Sequence, residues 1–194
     1  AGGNGWGSDS NQIGWPRGIA LDASGNMYIS TGSPYHSNWN FRVKKWRIGD
    51  TEGTWVAGGN EGSAANQLHN PYGITVDDSG NLYIADYEND RIQKWAPGAT
   101  EGITVAGGNG SGSAANQLRR PMGIALDYFG NLYIADMDNH RVQKWAPGAT
   151  KGTTVAGGNG EGSAANQLYN PTDITLDASG NLYIADGYNH RIQK

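Results

Sequence analysis

Pro71, Pro121 and Pro171 stand 50 residues apart, and Asp77, Asp127 and Asp177 keep the same interval. A chain that repeats itself at this period makes one supersecondary unit again and again, and each unit buries its apolar face against the next. Pro16 and Asp22 share the internal spacing of six, but Pro16 precedes Pro71 by 55 residues, so the first copy is longer. Aligning FRVKKW (41–46) with DRIQKW (90–95) puts its extra residues in TGSPYHSNWN, 31–40. Four copies result, at about 16–58, 71–107, 121–157 and 171–194.

Inside a copy the local signals are those of strands. GITVD (73–77) is a short apolar run closed by the turn residues DSGN, with Gly where positive φ is welcome. LYIAD (82–86), a short polar loop and RIQKW (91–95) follow, then the turn cluster PGATEG and a fourth run, ITVAGG (103–108). No window carries the 3,4 spacing of an amphipathic helix, and GSAANQL allows one helical turn at most. Four strands in about fifty residues is the make-up of a β-propeller blade, so the expected fold is all-β, a propeller of four blades.

The pattern NPYGITVDDSGNLYIADYENDRIQKW resembles the NHL-repeat family, whose copies read Pro-x-Gly-Ile-x-Val-Asp, Gly-Asn-x-Tyr-Ile-Ala-Asp and Asn-His-Arg-Ile. The likeness is strong in the last three copies. In the first, Thr31 replaces the acid found at Asp86, Asp136 and Asp186. The resemblance implies blades set around a central channel, usually six in a closed ring. AGG at 1–3 matches AGG at 57–59, and Lys194 matches Lys94 and Lys144, so the last copy is expected to lack its outer strand. An unpaired third strand invites another chain. The expectation is an open or partial ring completed by further repeats or another chain, with a self-closed four-bladed ring as the alternative.

Composition narrows function. A net charge of −4 speaks against nucleic-acid binding, which calls for a basic stripe. No apolar stretch approaches the about eighteen residues of a membrane span. The absence of cysteine excludes thiol chemistry and disulfides. DDSGN suits a hairpin turn and lacks the ligand ladder of an EF-hand. VAGGNGSGS lacks the Lys-Ser/Thr and the helix of a phosphate loop.

The repeated set Asp86–Asn89–Arg91, Asp136–Asn139–Arg141 and Asp186–Asn189–Arg191 could supply a base and an anion clamp, or could fasten scaffold. Copy number favours scaffold: a catalytic cluster is single, whereas a blade joint must be solved in every blade. The arginine is then expected to bridge neighbouring blades while its stem covers apolar surface. Some NHL propellers are enzymes, and the amidating-lyase type holds zinc with histidines at the channel. Only His69 lies where the resemblance puts that channel mouth, and Gly14, Arg119 and Tyr169 stand at the same position in the other copies, so neither metal nor cofactor is expected. His140 and His190 share one repeat position with Asp90 and Asn40, and His36 is isolated.

Ligands are expected where copies differ. Trp6, Trp15, Tyr35, His36 and Trp39 are expected on one side of the first blade, an aromatic surface suited to carbohydrate or protein. Around the prolines, Arg17, Tyr72, Met122 and Thr172, with His69, Arg119 and Tyr169, are expected to line the channel. Arg42, Lys44, Lys45 and Arg47 form a basic patch, read as a docking surface or a solvated strand edge. Asn109-Gly110-Ser111 is a glycosylation sequon. The function expected is a non-catalytic, extracellular scaffold that binds proteins or glycans and self-assembles through blade edges. A metal-dependent lyase or lactonase-like enzyme of the same fold is the alternative.

Overall fold

Turn sequences placed between β-branched and aromatic runs make each copy a meander of antiparallel strands. The computed structural model describes residues 1–5, 7, 9–32 and 41–194. The first sheet holds β1 (Pro16–Leu21), β2 (Met27–Thr31), β3 (Arg42–Trp46) and β4 (Thr54–Gly58). The second holds β5 (Pro71–Val76), β6 (Leu82–Asp86), β7 (Arg91–Trp95) and β8 (Ile103–Gly107). In the third are β9 (Pro121–Leu126), β10 (Leu132–Asp136), β11 (Arg141–Trp145) and β12 (Thr153–Gly157). The fourth has three strands, β13 (Pro171–Leu176), β14 (Leu182–Asp186) and β15 (Arg191–Gln193). Spatial order follows chain order in every sheet, the plan of a β-propeller blade.

The hairpin between the first two strands of a blade is locked by its own aspartate. Asp77 Oδ1 accepts from the N–H groups of Ser79 (3.0 Å) and Asn81 (2.8 Å), while Oδ2 takes the Asn81 amide (2.8 Å) and the Tyr83 hydroxyl (3.3 Å). Gly80 closes the turn at φ +79°, a conformation that costs other residues strain. Register follows, with Ile74 opposite Ile84 and Val76 opposite Leu82. Asp22, Asp127 and Asp177 serve the same turn.

A second special geometry closes the loop after the second strand. The polar loop is a single 3-10 turn, Tyr87–Asn89, Met137–Asn139 or Gly187–Asn189. The residue after it, Asp90, His140 or His190, is left-handed, and so is the residue before each strand-opening proline, Trp15, Asn70, Arg120 or Asn170.

The chain divides into two compact units, Ala1–Glu88 with Gln93–Ile103, and Asn89–Ile92 with Thr104–Lys194. The core of the first joins Tyr28, Phe41, Val43, Ala57, Leu68, Ile74, Leu82, Ile84 and Trp95. The core of the second joins Ala135, Val142, Leu168, Ile174 and Ile184. In both, an isoleucine of one blade's inner strand packs on the preceding blade. The inner strands of neighbouring blades come so close that a Cβ on Gly123 would lie 2.5 Å from the Asp173 Cα, and one on Gly18 would overlap the Tyr72 carbonyl oxygen. Among the described residues, no helix is long and apolar enough to cross a membrane.

Candidate functional site

The repeated acid sits at the centre of a clamp. Asp136 Oδ1 accepts from the Arg119 N–H (2.7 Å), and Oδ2 takes the Asn139 amide (2.9 Å) and Arg141 Nε (2.7 Å). Arg141 then spends its remaining donors on the carbonyls of Ser113 (2.7 Å), Ala114 (3.3 Å) and Gln117 (3.1 Å), while Asn139 also donates to the Gly112 carbonyl (2.9 Å). These carbonyls belong to the connection between β8 and β9, so the clamp ties that strap onto the blade that follows it. Asp186, Asn189 and Arg191 hold Gly162, Ser163, Ala164 and Gln167 in the same way. In the second blade, the Asp86 carboxylate accepts the His69 N–H (2.6 Å).

The clamp is closed to substrate. Asp86, Asp136 and Asp186 are fully buried. Burial pushes the Asp136 carboxyl above the usual carboxylate range, against the pull of the Arg119 N–H, Asn139 and Arg141. For Asp186 burial acts in the same sense, but its donors, the Tyr169 N–H, Asn189 and Arg191, outweigh it and hold the carboxyl below that range.

The first blade has Thr31 in place of the acid and solves the joint with another residue. Lys44 stands where the other copies have Gln93, Gln143 and Gln193. Its Nζ donates to the carbonyls of Asp9 (2.6 Å) and Gln12 (2.8 Å), which correspond in the repeat to Ala114 and Gln117, the carbonyls Arg141 holds. The ammonium lies 4.0 Å from the Trp55 ring centre, and burial pushes its pKa down. The basic patch expected at 42–47 is therefore not a surface cluster. Lys44 is fully buried, Arg42 lies over Trp55 at 4.9 Å and Lys45 pairs with Asp22 at 3.3 Å, leaving Arg47 exposed. Alternation of in and out along a strand cannot reveal a lysine that turns inward to a strap.

A second device latches blade to blade, and copy counting had assigned its residues no role. Asp90 Oδ1 accepts the Arg120 N–H (2.8 Å), and His140 Nδ1 accepts the Asn170 N–H (3.2 Å). Each acceptor follows one blade's 3-10 turn, and each donor precedes the next blade's proline. Asp and His interchange because both offer an acceptor from a left-handed residue. His190 occupies this position at the far edge of the last blade.

The residues expected to bind ligands fall into separate groups. In the first unit, the Arg17 guanidinium lies 4.5 Å over the Tyr72 ring, which packs on Tyr87 at 4.7 Å. His69 Nε2 faces Glu61 at 3.1 Å, and its ring is 5.5 Å from Phe41. In the second unit, Tyr169 packs between His140 (5.5 Å) and Tyr188 (5.1 Å). Arg119 and Arg120 both reach Asp138 at 3.6 Å, and Met122 is half-buried in β9. Trp15 is partly exposed, whereas Trp6, Tyr35, His36 and Trp39 lie outside the described residues. Among the described residues, no three His, Asp or Glu side chains gather as metal ligands would. The Asn109 amide donates to the carbonyls of Gly107 (3.1 Å) and Asn116 (2.9 Å), so a glycan there, which replaces one amide hydrogen, would remove at least one of these bonds.

One surface feature escaped the sequence reading. Tyr128 and Phe129 stand out from the β9–β10 turn almost fully exposed, edge to face at 5.8 Å. The other copies have Ala23-Ser24, Asp78-Ser79 and Ala178-Ser179 there, so comparison of turn tips would have found the pair. In the second unit a cleft of about 470 Å³ opens between β12, its following strap and β14–β15. The first unit has one of about 210 Å³ beside Trp95 and Pro97.

Comparison with known proteins agrees with this architecture. Residues 68–95 and 168–194 match the NHL repeat. No curated protein matches the chain. A structural genomics protein from Bacteroides thetaiotaomicron is similar at 24% identity and a TM-score of 0.69, covering 94% of this chain and 46% of that one. A chain of a nidogen/laminin complex is similar at 23% identity and 0.67, covering 91% and 59%, and a streptogramin B lyase at 14% and 0.56, covering 95% and 51%. The chain thus spans about half the length of these relatives. At such identities they share its fold, and the repeat match falls in two of its β-propeller blades, so the second and fourth blades carry NHL repeats.

Proposed function

We propose that this chain is a non-catalytic scaffold, working outside the cell, that binds protein and associates with itself head to tail through its end blades. The exposure of two isoleucines carries the reading. Ile174 of the fourth blade is 6% exposed because it packs with Leu168 on Ala135 and Val142 of the third, and Val142 is 0% exposed. Ile19, the counterpart of Ile174 in the first blade, is 65% exposed, and Ile192, the counterpart of Val142 in the fourth, is 68% exposed. The first blade's inner strand and the fourth blade's third strand therefore present the two halves of a joint that the third and fourth blades already build. A heterologous contact of this sort propagates into rings or filaments. Burying one such side chain is worth about 1.5–3 kcal/mol. The fold relative solved as a nidogen/laminin complex fits a protein-binding role.

Sedimentation of the chain over a wide concentration range tests the proposal. Mass is expected to rise with concentration, and Ile19→Lys or Ile192→Lys is expected to hold it at that of a single chain. A wild-type chain of constant monomer mass would refute self-association. Sugar stacking is a second reading, favoured by the exposed Tyr128–Phe129 pair. Quenching of tyrosine fluorescence by oligosaccharides, lost in Tyr128→Ser, is the expected sign of it.

A further inference from the structure

We propose that His140 makes the joint between the third and fourth blades a pH-sensitive latch, held while its imidazole is neutral and released when the ring takes up a proton. Its Nδ1 accepts the Asn170 N–H at 3.2 Å. A ring nitrogen accepts only while it carries no proton. On the other side of the ring, Nε2 lies 3.5 Å from Glu161 Oε2. The neutral ring thus serves both partners, accepting from the backbone at Nδ1 and turning its single N–H toward the carboxylate. A further proton must go onto Nδ1, where it would point at the Asn170 N–H. The charged ring is then repelled by its latch partner and drawn to Glu161. Imidazole is the side chain whose charge ordinarily changes between about pH 5 and 8.

The groups around the ring set the direction of the response. Glu161 and Tyr169 face it from the strap that enters the fourth blade, and Tyr188, on that blade's own 3-10 turn, backs Tyr169 at 5.1 Å. On the loop that carries the histidine, Asp138 is engaged by Arg119 and Arg120, and Arg141 is turned to Asp136. Glu161 is therefore the carboxylate open to an imidazolium, and it sits at the nitrogen that is not latched. Its side chain is well exposed, so water screens its pull and it biases the ring without locking it. The backbone holds its place throughout: His140 sits at φ +52°, its N–H bonds the Met137 carbonyl at 3.0 Å and its carbonyl accepts the Gly158 N–H at 3.0 Å. The ring can swing while the loop stays.

A control is built into the same unit. One joint earlier, Asp90 makes the equivalent latch to the Arg120 N–H at 2.8 Å. A carboxylate accepts through either oxygen and does not share imidazole's change over that range. Mild acid is expected to loosen the third–fourth joint and to leave the second–third joint fastened. The latch works within one chain, whether or not chains associate.

Amide hydrogen exchange followed by NMR on the full chain reads both latches at once. After correction for the intrinsic pH dependence of exchange, protection of the Asn170 N–H is expected to fall about tenfold from about pH 7.5 to about 5.5, as one hydrogen bond is lost. That of the Arg120 N–H is expected to stay level. His140→Asp, which copies the latch of the preceding joint, is expected to abolish the fall, and Glu161→Gln to move it to lower pH because the charged ring loses its carboxylate. Circular dichroism and melting confirm that each variant is folded. Matching profiles for Asn170 and Arg120 in the wild type overturn the latch, and so does a fall that persists in His140→Asp. A fall left at the same pH by Glu161→Gln overturns the exchange of partners.

Discussion

Replacing Asp136 by Asn removes the charge from the clamp and keeps its shape. In the native protein, three donors converge on this carboxylate at 2.7, 2.9 and 2.7 Å, and Arg141 is only 9% exposed. Asparagine still accepts the Arg119 N–H but turns an amide N–H₂ toward the donors of Asn139 and Arg141. Breaking a buried ion pair from one side costs about 3–5 kcal/mol, chiefly because the partner charge stays buried. The fourth blade supplies an internal control. Asp186 has the same geometry, but Arg191 is 30% exposed, so water can take over part of the lost interaction, and about 1–2 kcal/mol is expected for Asp186→Asn. Urea unfolding at neutral pH reads both, with the midpoint shifting and the slope unchanged. The reasoning fails if Asp136→Asn costs less than about 1 kcal/mol, or if Asp186→Asn costs as much. It also fails if the Asp136 change abolishes a turnover while stability stays intact.

Three further outcomes follow from the geometry. Lys44→Gln, the residue of the other copies, is expected to cost about 2–4 kcal/mol, and adding Thr31→Asp to recover part of it by giving Arg42 a carboxylate; no recovery in thermal melts would refute the substitution of one clamp for the other. Asp22, Asp77, Asp127 and Asp177 are all held below the usual carboxylate range: Asn26 and Asn181 are the leading cause for Asp22 and Asp177, and for Asp77 and Asp127 burial is outweighed by Asn81 and Asn131. Because these pKa values are lower folded than unfolded, their stabilisation is complete above the ordinary value of 3.8 and is lost as pH falls through the folded values; the melting midpoint is expected to drop below about pH 4, less steeply in Asp127→Asn. Arg120 sits at φ +51° where Asn70 and Asn170 stand in other copies, so Arg120→Asn is expected to stabilise by about 0.5–1 kcal/mol, and a loss would refute it.

Much of the scaffold was legible because its causes are local. LYIAD and RIQKW were read as strands with the bounds the structure shows, since turn residues flank them on both sides. The DSGN turns were legible for the same reason. What the sequence hid depends on contacts made across many residues. Arg141 was expected to bridge blades, but its guanidinium holds the strap at Ser113, 28 residues earlier. Lys44 looked like surface charge because nothing adjacent to it announces that the carbonyls of Asp9 and Gln12 need a donor. The latch was visible as a position shared by Asp and His, but its role depends on a left-handed donor 30 residues away. For the residues expected to face a ligand, repetition gave position in the blade but not company: it gave Arg17 and Tyr72 one repeat position without revealing that they stack on each other, or that Tyr87 joins them.

Because each clamp closes on the strap that enters its blade, the piece that must be inherited whole is out of step with the sheet. Cutting before Pro121 would strip Arg141 of Ser113, Ala114 and Gln117, whereas cutting after Gly107 carries them along. A duplication or graft that respects the visible sheet boundary would therefore deliver a blade with an idle arginine, and one shifted upstream by the length of the strap would deliver a blade able to fasten itself.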